Sequence, residues 1–386
     1  MNNSNYFSNT ILSWFQENGR DLPWRETKNP YSIWLSEVIL QQTRIAQGWE
    51  YWERFMSQYP TVNTLAAANE DDVLKLWQGL GYYSRARNLH AAAKQIVAFG
   101  KFPDTLADIR SLKGVGDYTA AAIASFAFDI PAAVVDGNVY RVLSRYYGID
   151  TPINSTAGKK EFAALAQSLL PPLSNEKIRP NEFGMALSTV SAYNQGMMDF
   201  GAIQCTSQSP KCLICPLAET CEALRNDKVQ ELPVKNKILK VKTRHLTYIY
   251  IRCTPSPQNS TISEEPKVAF HRRGEGDIWQ GLWEPFIVST SEDKTSVSID
   301  EIENALRMIG LKDVTHLHLL VKDIKHVLTH QILLADFYVL ETSQNLHLPD
   351  NYVWIKESEI ENYGVPKLIE IMLNQIKKYD TKAPFK

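Results

Sequence analysis

Cys205, Cys212, Cys215 and Cys221 fall within 17 residues in the spacing C-x6-C-x2-C-x5-C, and Cys253 stands alone. No other feature constrains the fold of this chain so sharply. Four thiolates on one short loop suit either a tetrahedral metal ion or a [4Fe–4S] cluster. Structural zinc usually takes paired C-x2–4-C knuckles, and only one such pair is present. The start, MNNSNYFSNT, has neither the basic nor the apolar region of a secretory leader, so the cysteines read as ligands rather than disulfide partners. Cys253 lies in a strand-like run and reads as a core residue.

The chain has 386 residues, enough for two or three domains at roughly 150 residues each. Its 44% hydrophobic content excludes a wholly disordered chain. No run of 18 apolar residues occurs, so no membrane span is expected. Residues 1 to about 224 read as a series of amphipathic helices punctuated by Asn29-Pro30, Tyr59-Pro60, Gly100 to Pro103 and Pro171-Pro172. The stretch 225–244 carries seven Lys or Arg against two Asp or Glu and reads as an exposed basic linker. Beyond it the texture turns β-rich, with strands expected at 245–253, 267–272, 314–321, 331–340 and 352–355 and helices at 299–309 and 367–377. This second half reads as an α+β domain.

Two further motifs carry chemistry. The run Leu112-Lys113-Gly114-Val115-Gly116-Asp117-Tyr118-Thr119-Ala120 joins two helical segments through a glycine hairpin. Glycine permits the positive-φ turn and leaves backbone N–H groups at a helix start, where a phosphate binds. Asp136 follows twenty residues after Gly116, within Val135-Asp136-Gly137-Asn138-Val139, at or near a helix N-cap that favours its ionised form. Glu37 lies in a mostly apolar helix with Ile33, Trp34 and Leu40 as its helical neighbours. Desolvation there raises a carboxyl pKa toward neutrality. One protonated and one ionised carboxyl make the pair needed to break an N-glycosidic bond: the acid protonates the leaving base, and the anion stabilises an oxocarbenium-like sugar.

Several segments together resemble the MutY family of adenine-specific A/G-mismatch DNA glycosylases, within the helix–hairpin–helix (endonuclease III) superfamily. They are Gly19 to Arg25, Ser36 to Arg44 (SEVILQQTR), Gly79 to Arg87 (GLGYYSRAR), Gly114 to Ala120, Val135 to Val139 and Met197 to Thr206 (MMDFGAIQCT). The resemblance selects the [4Fe–4S] cluster for the four cysteines and implies removal of adenine opposite 8-oxoguanine or guanine after base flipping. It makes Glu37 the acid for adenine N7, Asp136 the carboxylate for the sugar cation and Asn138 the residue orienting that site. Trp24, Arg25 and Gln195 match adenine-pocket positions. Gln42, Leu80 and Tyr82 match residues that wedge into the duplex, and Gly114, Val115 and Gly116 form the phosphate-binding hairpin. Tyr118 stands where bifunctional relatives carry a Schiff-base lysine. A tyrosine forms no imine, so a monofunctional enzyme is implied.

The second half resembles the family's Nudix-like C-terminal domain, most clearly from His271-Arg272-Arg273 to Gly281-Leu282-Trp283-Glu284. The positions of the Nudix helix ahead of Gly310-Leu311 hold Glu303 to Ile309 without the required acids, so recognition rather than magnesium-dependent hydrolysis is implied. Leu328-Thr329-His330 corresponds to the loop placed against 8-oxoguanine, with leucine where the family has an aromatic residue. The expected fold is a mainly α helix–hairpin–helix glycosylase module with an iron–sulfur loop, plus an α+β Nudix-like domain. Expected boundaries are 1–224 for the module (a six-helix barrel about 29–133, an iron–sulfur subdomain from 1–28 and 134–224), 225–244 for the linker, 245–370 for the Nudix-like domain and 371–386 for a flexible tail.

The expected partner is double-stranded DNA with A·8-oxoguanine or A·G mismatches, met by a monomer in a bacterial cytoplasm at the nucleoid, with no membrane. Two readings compete: an endonuclease III-like glycosylase/lyase on oxidised pyrimidines, and a non-catalytic mismatch-binding protein. The formal net charge of −2 alone argues against a basic nucleic-acid footprint. Its distribution is more informative, because the linker is locally positive around Lys235, Lys237, Lys240 and Lys242 and both flanking halves are negative.

Overall fold

The computed structural model describes residues 3–174, 178–179, 186–236, 241–254, 265–289, 297–312, 315–344 and 346–382. The chain divides into two compact units. Residues 1–67 and 88–237 make one, and residues 68–87 and 238–386 make the other.

The first unit is helical. It contains α1 (Asn3–Asn18), α2 (Pro30–Leu40), α3 (Ile45–Gln58) and α4 (Val62–Ala67). After α5 (Glu70–Leu76), which belongs to the second unit, come α6 (Ser84–Phe99), in this unit from Asn88 on, α7 (Leu106–Ser111), α8 (Asp117–Phe128), α9 (Gly137–Tyr147), α10 (Thr156–Ser168), α11 (Thr189–Asp199) and the short α12 (Glu222–Arg225). Helix α2 starts where Asn29 accepts from the Tyr31 N–H with Pro30 at its first position, a favourable start for both residues. Every residue from Tyr31 to Ile39 is buried, so α2 is a core helix rather than an amphipathic one. Helices α2 and α3 are separate elements rather than one continuous helix. The chain breaks at Gln41 in extended backbone and at Gln42 with φ of +57° before α3 begins. Phe7, Ile11 and Phe15, one turn apart on α1, are at most 1% exposed and share a core with Val142 and Leu143 of α9 and with Tyr193 of α11. Each such side chain contributes roughly 1.5–3 kcal/mol. Helix α9 ends on Gly148 at φ of +68°, the left-handed stop that glycine adopts without strain.

The second unit holds a six-stranded mixed sheet in the order β4-β5-β1-β3-β2-β6. Its strands are β1 (Lys242–Cys253), β2 (Lys267–Arg272), β3 (Trp283–Ser289), β4 (Leu317–Val327), β5 (Gln331–Thr342) and β6 (Tyr352–Lys356). Strands β1 and β5 pair in parallel along their whole length, from Lys242 opposite Gln331 to Cys253 opposite Thr342. The strand period of two sends Leu246, Tyr248 and Tyr250 to one face, where Leu368, Met372 and Ile376 of α14 (Lys367–Lys382) cover them. It sends Ile249 and Ile251 to the other face, under Ile302 and Leu306 of α13 (Ile299–Met308). Ser298 and Glu301 form a reciprocal cap at the start of α13.

Three boundaries differ from the sequence expectation. Residues 68–87 pack in the second unit rather than in the six-helix subdomain. Arg272 pairs there with Glu70 and Asp71, Arg87 donates to the Gln280 carbonyl, and Gln78 donates to Glu370. Helical periodicity identifies a helix but not the core on which it docks. Residues 225–236 are no free linker: Leu232 is buried, Arg145 donates to its carbonyl, and Ile153 donates to that of Val234. Lys237 and Lys240 lie outside the described residues. Residues 371–382 are helical rather than a flexible tail, because Met372 and Ile376 are core residues and Asp380 pairs with Arg252.

Candidate active site and recognition loop

A pocket of about 300 Å³ in the first unit is lined by Trp24, Arg25, Glu37, Tyr118, Asp136, Asn138 and Gln195. Thus α2, α8, the start of α9 and α11 bring together residues spread over 170 positions of sequence. Glu37 is 5% exposed. Burial raises its carboxyl to about 7, against opposing effects of the Tyr118 hydrogen bond and the Arg25 charge, with Asp136 raising it further. The Tyr118 hydroxyl donates to Glu37 Oε2 at 2.6 Å. Burial and the two carboxylates hold that phenol well above its usual value, so it remains a donor.

Asp136 is the N-cap of α9. Its Oδ1 accepts from the Val139 N–H at 2.8 Å, and its Oδ2 accepts from Asn138 Nδ2 at 2.8 Å. Burial nevertheless leaves its carboxyl above the usual value, with those hydrogen bonds pulling the other way. The cap geometry matches the expectation, but its electrostatic effect is outweighed by desolvation. Arg141 holds Asn138 in place, donating to its Oδ1 at 2.8 Å and to the carbonyls of Gly201 and Cys205 at 2.6 and 2.7 Å. Gly201 is required beneath it, because a Cβ there would lie 2.5 Å from Asn138 Cβ.

Gln195 is 2% exposed and donates to Ser191 Oγ, while its Oε1 has no hydrogen-bond partner. A buried orphan acceptor in a pocket is costly and invites a ligand donor. Trp24 packs edge-on to Trp49 and Trp52. Arg25 does not face the cavity as a free cation: it makes a two-pronged pair with fully buried Asp199, at 2.8 and 2.9 Å, which Arg20 joins. Burial pushes Asp199 up, but the two guanidiniums override it and hold its carboxyl at about 2. Sequence reasoning does not single out Asp199, although it lies inside the MMDFGAIQCT segment. Its signal, an acid amid apolar residues with arginines 174 and 179 positions away, is visible only in three dimensions.

The hairpin stands at the start of α8. Gly114 has φ of +75°, and a Cβ there would come within 2.6 Å of Asn88 Cβ. Gly114 and Gly116 are exposed, whereas Val115 is buried and its N–H already donates to the Leu112 carbonyl. Val115 anchors the turn, so its amide is not on offer to a phosphate. Gln42 and Tyr82 are exposed at positive φ, in the first and second unit respectively, whereas Leu80 is only 9% exposed. Leu328, Thr329 and His330 form the tight turn between β4 and β5, closed by the Leu328 N–H on the Gln331 carbonyl. Leu328 is half-buried against the core, and the Thr329 hydroxyl lies 2.5 Å from that of Tyr82.

Cys205, Cys212, Cys215 and Cys221 line one small cavity in the first unit, and none is in a disulfide. Arg145 reaches Cys205 Sγ at 3.5 Å and donates to the carbonyls of Thr206 and Ser207. Burial, together with the other thiols, pushes Cys215 up to about 11 and raises Cys212 and Cys221. Thiolates here therefore need a cationic partner beyond the arginine. The donor set fits a cluster, although among the described residues no His, Cys, Asp and Glu group is arranged to hold a single metal ion. No helix among the described residues is long and apolar enough to cross a membrane.

Comparison with known proteins agrees with this architecture. Residues 35–172 match the HhH-GPD superfamily base excision DNA repair protein family, and residues 261–375 match the NUDIX domain. Among solved structures, a thermostable thymine-DNA glycosylase covers 58% of this chain and 97% of its own, with a TM-score of 0.50 and 30% identity. The fold and pocket thus define a DNA glycosylase of the helix–hairpin–helix class with a Nudix-like C-terminal domain. The adenine DNA glycosylase of Buchnera aphidicola from Acyrthosiphon pisum is 31% identical over 96% of this chain and 98% of its own length. That of Mus musculus is 36% identical over 69% of this chain and 52% of its own. The chain belongs to the adenine DNA glycosylase, or MutY, family.

Proposed function

We propose that this enzyme hydrolyses the N-glycosidic bond of adenine mispaired with 8-oxoguanine or guanine, without a lyase step. The observation that carries the proposal is a buried acid, Glu37 at about 7, in one pocket with the capped carboxylate Asp136. Flipping adenine into that pocket costs a few kcal/mol, offset by burial of the base between the Trp24 side and Gln195. The orphan Gln195 Oε1 accepts from the exocyclic amine, which discriminates adenine from bases without a donor at that position. Glu37, held by the Tyr118 hydroxyl, gives its proton to adenine N7. The Asp136 carboxylate, held by the Val139 N–H and by Asn138, lies against the sugar as positive charge develops on C1′. Water then adds to C1′, and its proton returns to a carboxylate.

Tyr118 cannot form an imine, which supports a monofunctional enzyme over an endonuclease III-like lyase. Both carboxylates line the pocket, which disfavours a purely mismatch-binding protein. The first unit is assigned the excision, and the second the recognition of the base opposite adenine through Thr329 and His330. Gln42 and Tyr82 are assigned to the duplex gap, and the backbone at Gly114 and Gly116 to a phosphate. We assign the four cysteines to a [4Fe–4S] cluster, which when bound cross-links the 205–221 loop. The chain itself then holds that loop to the site through Arg141, which grips both the Cys205 carbonyl and Asn138.

Adenine release measured on A·8-oxoguanine, A·G and A·C duplexes tests the reading. Fastest release opposite 8-oxoguanine and little opposite cytosine is expected. Release of an oxidised pyrimidine, with a covalent adduct trapped by borohydride, would favour the lyase instead.

A further inference from the structure

The second unit contains a cavity of about 460 Å³ bounded by Tyr82, Asp277, Trp279, Leu328, Thr329 and His330. Its volume is that of a small-molecule or base site, and it opens beside the exposed Thr329–His330 turn. Trp279 stands out on its wall. It has φ of +60°, a conformation that bulky side chains rarely adopt and that persists where the surroundings impose it. Those surroundings are explicit. The Trp279 carbonyl accepts from the Leu282 N–H, and Arg273 accepts from Gly281 and donates to Leu282 through its backbone. The Arg273 guanidinium, itself pinned by Glu284 and Asp277, lies 5.9 Å from the indole centre. The loop thus spends strain to set a half-exposed indole, stiffened by a cation, on the cavity wall. Leu328, the apolar member of the turn, is aliphatic, so it offers no aromatic face for stacking.

We infer that Trp279 is a further binding residue for the opposite base: its indole stacks on the purine opposite adenine and presents that base's edge to the Thr329 hydroxyl. The inference rests on the assignment of the second unit to opposite-base recognition. Base–aromatic stacking needs only a π-face, so Trp279 holds guanine and 8-oxoguanine alike while Thr329 tells them apart.

The test is binding of the full-length protein to duplexes carrying 2′-fluoro-2′-deoxyadenosine, which resists cleavage, opposite 8-oxoguanine, guanine or an abasic analogue. Trp279→Leu is expected to weaken binding about tenfold or more on the two purine duplexes. On the abasic duplex, which offers nothing to stack, it is expected to stay within twofold. Trp279→Phe restores most of the loss. Equal weakening on all three duplexes, or no weakening on any, overturns the inference while leaving the recognition reading intact. If the wild type itself binds all three duplexes equally, the recognition reading fails and the inference with it. Thermal unfolding of each variant is measured in parallel. Should Trp279→Leu lose its cooperative transition, Trp279→Met, which keeps bulk without a ring, makes the same comparison.

Discussion

Above neutral pH, Glu37 carries its charge in a pocket that water scarcely reaches, and that lowers both activity and stability. Its folded-state pKa of about 7 exceeds the ordinary carboxyl value of 4.5, so the folded chain binds this proton more tightly than the unfolded chain does. Stability is therefore unpenalised below pH 4.5 and falls as pH rises toward 7. At roughly 1.4 kcal/mol per unit the penalty at pH 8 is about 3 kcal/mol. Glu37→Gln, which keeps an acceptor for Tyr118 without the charge, is expected to raise the unfolding midpoint at pH 8 and to leave it nearly unchanged at pH 4. Equal shifts at both pH values would contradict the desolvation account. Thr329→Ala is expected to lower the preference for 8-oxoguanine over guanine without slowing excision opposite guanine. Equal losses on both mismatches would refute its role as a reader. These carboxyl positions were legible in the sequence because an acid inside an apolar helix and an acid before a helix are local patterns. The Asp199 pairing with Arg20 and Arg25 was not, since its partners are distant in sequence.

At the scale of elements, α9 connects the site to the cysteine loop. Arg141 on its second turn holds Asn138 on one side and the Cys205 and Gly201 carbonyls on the other. Arg141→Ala leaves those acceptors without a charged donor, at about 1.5–3 kcal/mol for each such bond. The rate of base release is expected to fall at least tenfold, with DNA affinity reduced much less; a parallel loss of both would assign Arg141 to DNA binding instead. The cysteine assignment requires brown protein absorbing near roughly 400 nm, with the band lost in Cys212→Ser. Colourless protein with stoichiometric zinc would overturn it. Helix α14 is equally testable. Met372 is fully buried beneath the sheet, so Met372→Ala is expected to destabilise the second unit by about 2–5 kcal/mol. A flexible tail would show no change. Neither the strand β3 nor the split between α2 and α3 was legible in the sequence. Pro285 interrupts the strand pattern of β3, and the positive φ at Gln42 has no glycine to announce it.

For the whole molecule, net charge proved a poor guide, because ion pairing redistributes it. The excess counted over 225–244 shrinks once Arg244 is seen paired with Asp277 and Arg225 with Glu222; Lys235 and Lys242 are among its exposed basic side chains. Replacing both by glutamine is expected to flatten the dependence of log affinity on log salt by up to about 0.9 for each phosphate no longer neutralised, without altering mismatch preference. An unchanged slope would show that these lysines do not meet the backbone. The assignment of residues 68–87 to the second unit could not be read from the sequence for a related reason: the helical pattern there is genuine, but its charged partners Arg272 and Glu370 lie hundreds of residues away.

The most direct test of the central claim is the pH profile of single-turnover adenine release from an A·8-oxoguanine duplex, for wild type and Glu37→Gln. The wild-type rate is expected to fall about tenfold per pH unit above roughly 7 as the Glu37 proton is lost. Glu37→Gln should be slower by orders of magnitude and lack that falling limb. A mutant that releases adenine at the wild-type rate with the same profile would remove Glu37 as the acid.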